Sequence, residues 1–305
     1  MALLITNSNK KTMKLNKSIF IALLVFPLTL LAQEETAKTT PSTKAKLERA
    51  AFESTALIDN QTNVLNTKGT IELTMNHRFG TVKGTNDMIG IWAPANIRLG
   101  LTYGLTDFIT VGFGTTKDSR LQDFNLKGAL LRQTRDNHMP VSVTYYGNAA
   151  MSASPRETFE IVTYKGEVIP YRFSSRFSFF NQIIIARRFS SNVSFQIAPS
   201  WSHVNLVETP IKNDMVAVAV GGRVKINPTT SVLVDYSQPL NTFQGRYPLP
   251  GIGLGVEFST GSHAFQLFIT NYKSIVQQQN YMFNQNDFFR SEYMIGFNIT
   301  RLWHM

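Results

Sequence analysis

Alternation of apolar and polar residues is the most regular feature of this chain, and it recurs in twelve short segments between about residue 68 and residue 303. Between residues 96 and 103, Ile97, Leu99 and Leu101 alternate with polar or small residues such as Asn96 and Arg98. Successive side chains of a β-strand point to opposite faces, so this period of two predicts strands with one apolar and one polar face.

The connections between the segments support one architecture. Short links at residues 104–107, 134–139, 190–192, 227–230 and 260–262 follow the even segments, and longer links at 80–94, 116–122, 152–171, 204–212, 238–250 and 271–291 follow the odd ones. Bacterial membrane barrels have an even strand number, short periplasmic turns and longer external loops. We therefore predict an all-β protein: a single antiparallel up-and-down transmembrane β-barrel of about twelve strands. The alternative, a soluble sandwich or lipocalin-like barrel, gives no reason for loops sorted by parity.

The amino-terminal region divides into two parts before the barrel. An apolar run at residues 19–31 follows Lys14 and Lys17 and precedes Ala32, which is typical of a secretory signal peptide over residues 1–32, with Met13 as a possible true start. Residues 33–67 are predicted to be a periplasmic leader, disordered in its polar first part. The more apolar residues 51–64 could form a short helix or strand that caps the periplasmic mouth, and residues 68–305 form the barrel.

Composition excludes several classes. The formal net charge is +10, with 30 basic and 20 acidic residues, but Lys10, Lys11, Lys14 and Lys17 fall in the signal peptide. We expect no nucleic-acid partner, because an exported chain without basic and aromatic runs lacks that chemistry. The sequence has no cysteine, which excludes disulfides and a lipoprotein anchor.

Parity also places charged residues inside the predicted barrel. The candidate lumen-lining residues are Glu72, Arg78, Arg98, Lys127, Arg176, Arg223, Lys225, Asp235 and Glu257. Basic side chains predominate in this set, and charge in a pore wall biases solute selectivity. The alternative is that these residues pair across the lumen and serve as scaffolding.

Aromatic residues on the apolar face indicate contact with lipid. The candidate membrane-girdle residues are Trp201, Tyr236, Tyr293, Phe297 and Trp303. The last segment, with alternating apolar residues and Trp303 near the terminus, resembles the signal read by the barrel assembly machinery, although His304 and Met305 follow it. Outer-membrane lipid and that machinery are therefore the expected partners, and the bacterial outer membrane is the expected location.

Catalysis and metal binding find little support in the sequence. Ser202 and His203 are adjacent, and alternation places them on opposite faces of a strand, which argues against direct contact. No paired cysteines, His-x-x-x-His or calcium loop occurs. We expect no enzyme activity, metal or cofactor; an outer-membrane hydrolase is the least favoured alternative.

A resemblance to a known family adds to this interpretation. Residues 77–80 (HRFG), 95–101 (ANIRLGL), 103–107 (YGLTD) and 186–189 (ARRF) resemble an uncharacterised family of outer-membrane β-barrels from Bacteroidota, catalogued as a domain of unknown function. The resemblance implies a barrel in the outer membrane and supplies no catalytic or binding residues.

Two functional hypotheses remain. The first is a narrow porin-like channel for small polar or anionic solutes. The second is a non-conducting structural or partner-binding barrel that acts through its loops or the periplasmic leader. The sequence leaves open whether residues 271–291 plug the barrel.

Overall fold

Twelve antiparallel strands form a closed ring in the computed structural model, which describes residues 46–83, 87–159, 161–162, 168–243 and 247–305. The predicted signal peptide and the first part of the leader lie outside the described residues. The ring strands are β3 (Thr70–Thr81), β4 (Asn96–Thr106), β5 (Ile109–Thr116), β6 (Leu121–Leu131), β7 (Ser142–Ser152), β10 (Phe177–Arg188), β11 (Val193–Val204), β12 (Asp214–Asn227), β13 (Thr230–Pro239), β14 (Gly251–Ser259), β15 (His263–Thr270) and β16 (Met294–His304). The prediction of a twelve-strand barrel is confirmed.

The alternating pattern determines which face of each strand is buried. In β11, Ser194, Gln196 and Ser202 are buried inside the ring, whereas Val193 and Trp201 are exposed on the outer surface. Neighbouring strands keep this parity because each pairs in register with the next, and β16 closes the ring by pairing with β3. The outer surface is thus apolar and the interior polar.

The two ends of the ring differ, and we name them by their connections. The turn end has the links at residues 107–108, 132–141, 189–192, 228–229 and 260–262. The loop end has the links at residues 82–95, 117–120, 153–176, 205–213, 240–250 and 271–293. The link at 117–120 is shorter than predicted and that at 132–141 is longer, so the length rule holds for most of the connections.

Two further elements contribute to the interior. Residues 51–66, here called the lumen hairpin, contain the short strands β1 (Ala56–Leu57) and β2 (Asn60–Gln61), which pair with each other. Helix α1 (Gln277–Phe283) belongs to the link between β15 and β16.

The strands β8 (Ile161–Val162) and β9 (Val168–Ile169) form a small separate pair in the link between β7 and β10. Among the described residues, no helix is both long and apolar enough to cross a membrane.

Candidate functional site

The lumen hairpin lies inside the ring. Its residues bond to inward side chains of strands on opposite sides, including Glu72 of β3, Lys127 of β6, Gln196 of β11 and Asp235 of β13. A segment that contacts strands around the whole circumference must occupy the centre. The leader predicted over residues 33–67 is described from residue 46, and from residue 51 onward it lies inside the barrel. The apolar stretch 51–64, predicted to cap the periplasmic mouth, instead forms a hairpin within the lumen.

The tip of the hairpin is held by two wall residues of opposite charge. The Arg78 guanidinium donates to the Asp59 carboxylate at 3.0 Å and to the Ile58 carbonyl at 3.1 Å. The Asp235 carboxylate accepts the main-chain N–H groups of Asp59 and Asn60 at 2.9 and 3.0 Å. Charge-assisted hydrogen bonds of this kind are stronger than those between neutral groups.

The first leg of the hairpin is fixed nearer the turn end. Glu53 accepts a hydrogen bond from Arg223 at 2.8 Å and another from Lys225 at 3.1 Å. Burial acts to raise the pKa of Glu53, but the hydrogen bonds and charges of Arg223 and Lys225 outweigh it, so the pKa lies below its ordinary value. Ser54 next to it donates to Glu257 at 2.6 Å. This leg is therefore anchored by ionised groups at neutral pH.

Lys127 joins the two legs of the hairpin. Its ammonium group donates to the carbonyl of Thr55 on the first leg at 2.8 Å and to that of Val64 on the second at 3.2 Å. Only 4% of Lys127 is exposed, so its ammonium group has little bulk water as a substitute partner. Lys127 is the part of the wall that keeps the two legs together.

Helix α1 enters the ring from the loop end. Gln278 donates to Asn148 of β7 and Ser178 of β10 at 3.0 and 3.2 Å. The Tyr281 hydroxyl donates to the Asn60 side chain at 2.6 Å, and Gln277 donates to the Asp59 carbonyl at 3.3 Å. The link at 271–293 thus enters the barrel and meets the tip of the hairpin, which answers the question that the sequence left open.

The hairpin and α1 divide the remaining space of the lumen into separate cavities. A cavity of about 60 Å³ lies between the hairpin, β3, β6, β7 and α1, and its lining includes Glu72, Arg98, Lys127 and Tyr146. That volume holds a few water molecules and is far below the several hundred Å³ typical of small-molecule sites. Larger spaces of about 290 Å³ and about 450 Å³ remain at the turn end and at the loop end, so the lumen is filled at its centre and partly open at both ends.

The predicted lumen residues are largely where parity places them. Glu72, Arg78, Lys127, Arg223, Asp235 and Glu257 are buried inside the ring, and Arg98 and Lys225 point inward with partial exposure. Arg176 is not in the wall: it ends a short 3₁₀ helix at the loop end and donates to the carbonyls of Ser152 and Ser154. The strand begins one residue later, so the alternation was extended one residue too far.

Asp123 is an interior residue that the sequence analysis missed. Its carboxylate accepts two hydrogen bonds from the Arg98 guanidinium, at 2.8 and 2.7 Å. Gly100 and Gly114 make room for this arginine, because a Cβ at Gly114 would lie 2.1 Å from its Nη2 atom and one at Gly100 2.6 Å from Nη1. Asp123 shares the parity of Lys127, a signal that could have identified it.

Three of the five candidate girdle residues lie near the ends of the outer surface. Trp201 and Tyr236 lie toward the loop ends of β11 and β13, and Trp303 lies at the turn end of β16. Phe297 is nearer the middle of β16 and stacks on His77 at 4.9 Å between ring centroids. Tyr293 precedes β16, in the loop, where its ring lies 5.2 Å from that of Phe288.

The geometry around Ser202 and His203 agrees with the alternation. Ser202 is buried inside the ring, whereas His203 lies on the outer surface and its Nδ1 atom is 2.9 Å from an Asp214 carboxylate oxygen. The two side chains are separated by the barrel wall, so they do not form a nucleophile and base pair. In the described residues, no group of three or more His, Cys, Asp or Glu side chains could hold a metal ion.

A closed twelve-strand ring with an apolar outer surface and a polar interior defines a membrane-bound β-barrel. The model of the family described as "Membrane bound beta barrel domain (DUF5777)" matches residues 52–303, and the chain belongs to this family. The matched region begins at residue 52, so it includes the lumen hairpin. A comparison with curated proteins finds no match.

Solved barrel structures are similar at low identity. The NanC porin has a TM-score of 0.47 and 6% identity, covering 77% of this chain and 99% of that one. Outer membrane phospholipase A from Escherichia coli gives 0.39 and 12%, covering 78% and 91%. Salmonella typhi OmpF, in complex with daunomycin, gives 0.37 and 8%, covering 77% and 97%. At these scores the similarities carry no inference about function.

Proposed function

We propose that the protein is a gated channel of the bacterial outer membrane, which passes small polar or anionic solutes only when the lumen hairpin leaves its place. The observation that carries the proposal is the kind of contact that holds the hairpin: ion pairs and side-chain hydrogen bonds to Arg78, Lys127, Arg223 and Asp235. Water can replace each of these contacts once the hairpin leaves, and a hydrogen bond to a charged group contributes about 1.5–3 kcal/mol net. A hairpin held in this way closes the lumen and can still be displaced.

The wall that a displaced hairpin would leave behind suits polar solutes. The predicted charged set, with Arg176 removed and Asp123 added, has five basic and four acidic members. Glu53 and Asp59, which neutralise Arg223 and Arg78, depart with the hairpin. The basic groups so released support a preference for anions, because the charge of a pore lining biases selectivity.

The proposed location is supported by the two ends of the chain. Residues 1–32 have the composition of a signal peptide. At the other end, Trp303 lies on the outer surface, His304 bonds to Thr70 at 2.8 Å and the Met305 N–H donates to the Gly69 carbonyl at 3.2 Å. The two residues after the terminal aromatic therefore complete the seam between β16 and β3. We accordingly keep outer-membrane lipid and the barrel assembly machinery as the proposed partners.

Reversible locking of the hairpin tests this function. A Cβ at Gly221 would lie 2.4 Å from a methyl group of Leu57, so Leu57→Cys with Gly221→Cys brings two thiols together in a chain that otherwise has none. Conductance is recorded in planar bilayers with the disulfide formed and again after reduction. We expect silence in the oxidised protein and discrete openings in the reduced one, with Asp59→Ala opening more often than wild type.

Two results would count against the gated channel. Equal conductance before and after reduction would mean that the hairpin is no gate. Silence of Asp59→Ala in every salt, with its hairpin shown by thiol labelling to be displaced, would mean a sealed barrel.

A second function is favoured by the contact between the two interior elements. Asn60 of the hairpin bonds to Tyr281 of α1, and this arrangement also suits a permanently closed barrel that acts through its loops. Trp92, Phe173 and Phe289 expose 72%, 62% and 87% of their surfaces at the loop end, and large exposed aromatics are typical of interaction sites. Copurification of a stable partner with a silent barrel, lost when Trp92, Phe173 and Phe289 are changed to Ser, would support this function.

A further inference from the structure

The wall of the lumen contacts the main chain of the hairpin as much as its side chains. Gln266 accepts from the Ile58 N–H at 3.3 Å and donates to the Ala56 carbonyl at 2.9 Å. Asn298 donates to the Ile58 carbonyl at 2.9 Å, and Gln196 donates to the Gln61 carbonyl at 2.8 Å. Residues 56–61 form a tight turn in which Ala56 pairs with Gln61 and Leu57 with Asn60. Main-chain groups are the same in every peptide, so a wall that binds them is able to bind other peptides that form this turn.

Two positions of the bound segment are selected by their side chains. The Asp59 carboxylate takes hydrogen bonds from Arg78 at 3.0 Å and from the Thr270 hydroxyl at 2.6 Å. The Asn60 amide nitrogen donates to Asp235 at 2.7 Å. Both wall charges are buried, with 1% of Arg78 and 3% of Asp235 exposed, so a mismatched side chain would leave an unpaired buried charge.

The wall also provides space for apolar side chains on either side of the tip. Gly221 faces Leu57, and Gly253 faces Ile58, whose Cγ2 atom would lie 3.0 Å from an added Cβ. Both apolar residues are buried, at 1% and 2% exposure. Because Gly221 and Gly253 have no side chain, the wall has two recesses there. The recesses suit two apolar residues that directly precede the acidic residue in the bound sequence.

The pairing of charges distinguishes a peptide from a simple anion. Asp235 is satisfied by two N–H groups that belong to consecutive peptide bonds. A phosphate or chloride ion near Arg78 would offer no donor to Asp235, and repulsion between the two anions would weaken its binding. The same site therefore favours a ligand that carries both a carboxylate and main-chain donors.

From this geometry we propose that the lumen is a binding site for short acidic peptides that form a tight β-turn, which residues 56–61 occupy as a tethered substitute with Ile58 and Asp59 at the turn. The inference rests on the proposed displacement of the hairpin and names the substrate class of the same channel. A free peptide competes with the tethered segment, so its apparent affinity depends on the fraction of molecules in which the site is vacated.

The test uses the full chain and a labelled peptide, acetyl-Ala-Leu-Ile-Asp-Asn-Gln-amide, with fluorescence anisotropy in detergent. Asp59→Ala removes the carboxylate of the tethered segment and leaves the wall unchanged. We expect this variant to bind the peptide at least tenfold more tightly than wild type does, and at least tenfold more tightly than it binds the same peptide with Asn in place of Asp. Sodium phosphate should not displace the bound peptide.

A wall variant provides the second measurement. Asp59→Ala with Gln266→Ala keeps Arg78 and Asn298 but loses the Gln266 contacts to the Ala56 carbonyl and the Ile58 N–H, and we expect the peptide affinity to fall at least fivefold. Equal binding of the acidic and neutral peptides, or displacement by phosphate at similar concentrations, would overturn the inference. Peptide binding by a barrel that never conducts would refute the channel alone, and openings without peptide discrimination would refute this site alone.

Discussion

Removal of the Asp59 carboxylate is expected to loosen the lumen hairpin more than any comparable change in the same segment. The substitution Asp59→Ala takes one partner from a buried ion pair and leaves Arg78, of which 1% is exposed, without a counter-charge. Breaking a buried pair in this way typically costs about 3–5 kcal/mol. Arg78 keeps hydrogen bonds to the carbonyls of His77 and Ile58 and to Asn298, and its guanidinium lies 4.4 Å from the centre of the Phe268 ring.

Because these contacts remain, we place the cost at the lower end of that range, about 3 kcal/mol. Since about 1.4 kcal/mol is a factor of ten, the fraction of molecules with a displaced hairpin should rise roughly a hundredfold. Thiol labelling measures that population, because the chain has no natural cysteine. Ala51→Cys puts a single thiol at a position that is 2% exposed in the folded hairpin. Its reaction rate with a maleimide follows the open fraction when opening and closing are fast.

The matched control is Glu48→Ala, which removes a carboxylate from the same stretch of chain at the rim. Glu48 lies 4.0 Å from Arg188 and its side chain is 26% exposed, so we expect less than a threefold change. A labelling rate in Asp59→Ala within threefold of the Ala51→Cys parent, with the barrel intact by heat-modified gel mobility, would refute the assignment of Asp59 as the main anchor.

Three other changes test separate parts of the interior. The pKa of Glu53 lies below its ordinary value of 4.5, so its anchor is present at neutral pH and is lost as the pH falls through that lowered pKa. Channel openings should therefore rise in acid by a larger factor for wild type than for Glu53→Gln, in which other carboxylates, such as those of Asp59 and Asp235, are still left to be protonated. Gly114→Ala should displace Arg98 from Asp123 and so lower the free energy of unfolding by about 3 kcal/mol. This free energy is measured from heat-modified gel mobility in urea. The control Gly222→Ala, which has nothing within 4 Å of the new Cβ, should leave it unchanged. Lys127→Met removes the donor that the Thr55 and Val64 carbonyls share and should speed thiol labelling of the hairpin at least tenfold; an unchanged rate would remove Lys127 from the anchoring set.

The barrel could be predicted from the sequence because strand parity is a local property. Inward Glu72 and outward Leu73 are neighbours in sequence, and their faces follow from backbone geometry alone. The boundaries were less certain for the same reason: alternation continues past the end of a strand. Arg176 precedes β10 by one residue and was therefore placed in the wall, whereas Asp123 lies just after a link drawn too long and was left out.

The filled lumen could not be predicted in the same way. Asp59 and Asp235 are 176 positions apart in the chain, and no periodic signal connects residues so distant. Helix α1 has seven residues, too few for helical periodicity to be visible in a stretch rich in Gln and Asn. Composition gave one indication. Residues 51–64 are more apolar than the segment before them, which indicates burial but not where in the fold the segment is buried.

Both legs of the lumen hairpin leave the ring through the same rim. The chain passes Glu48, which bonds to Gln133 in a turn of that rim, rises to Asp59, and returns to Lys68, whose N–H donates to Asp107 in another turn there. The chain is consequently not threaded through the barrel. The hairpin can leave through the end by which both of its legs entered, and no chain end has to pass through the lumen. Withdrawal leaves the seam between β3 and β16 paired, so the topology permits the interior to empty and refill many times without unfolding the ring.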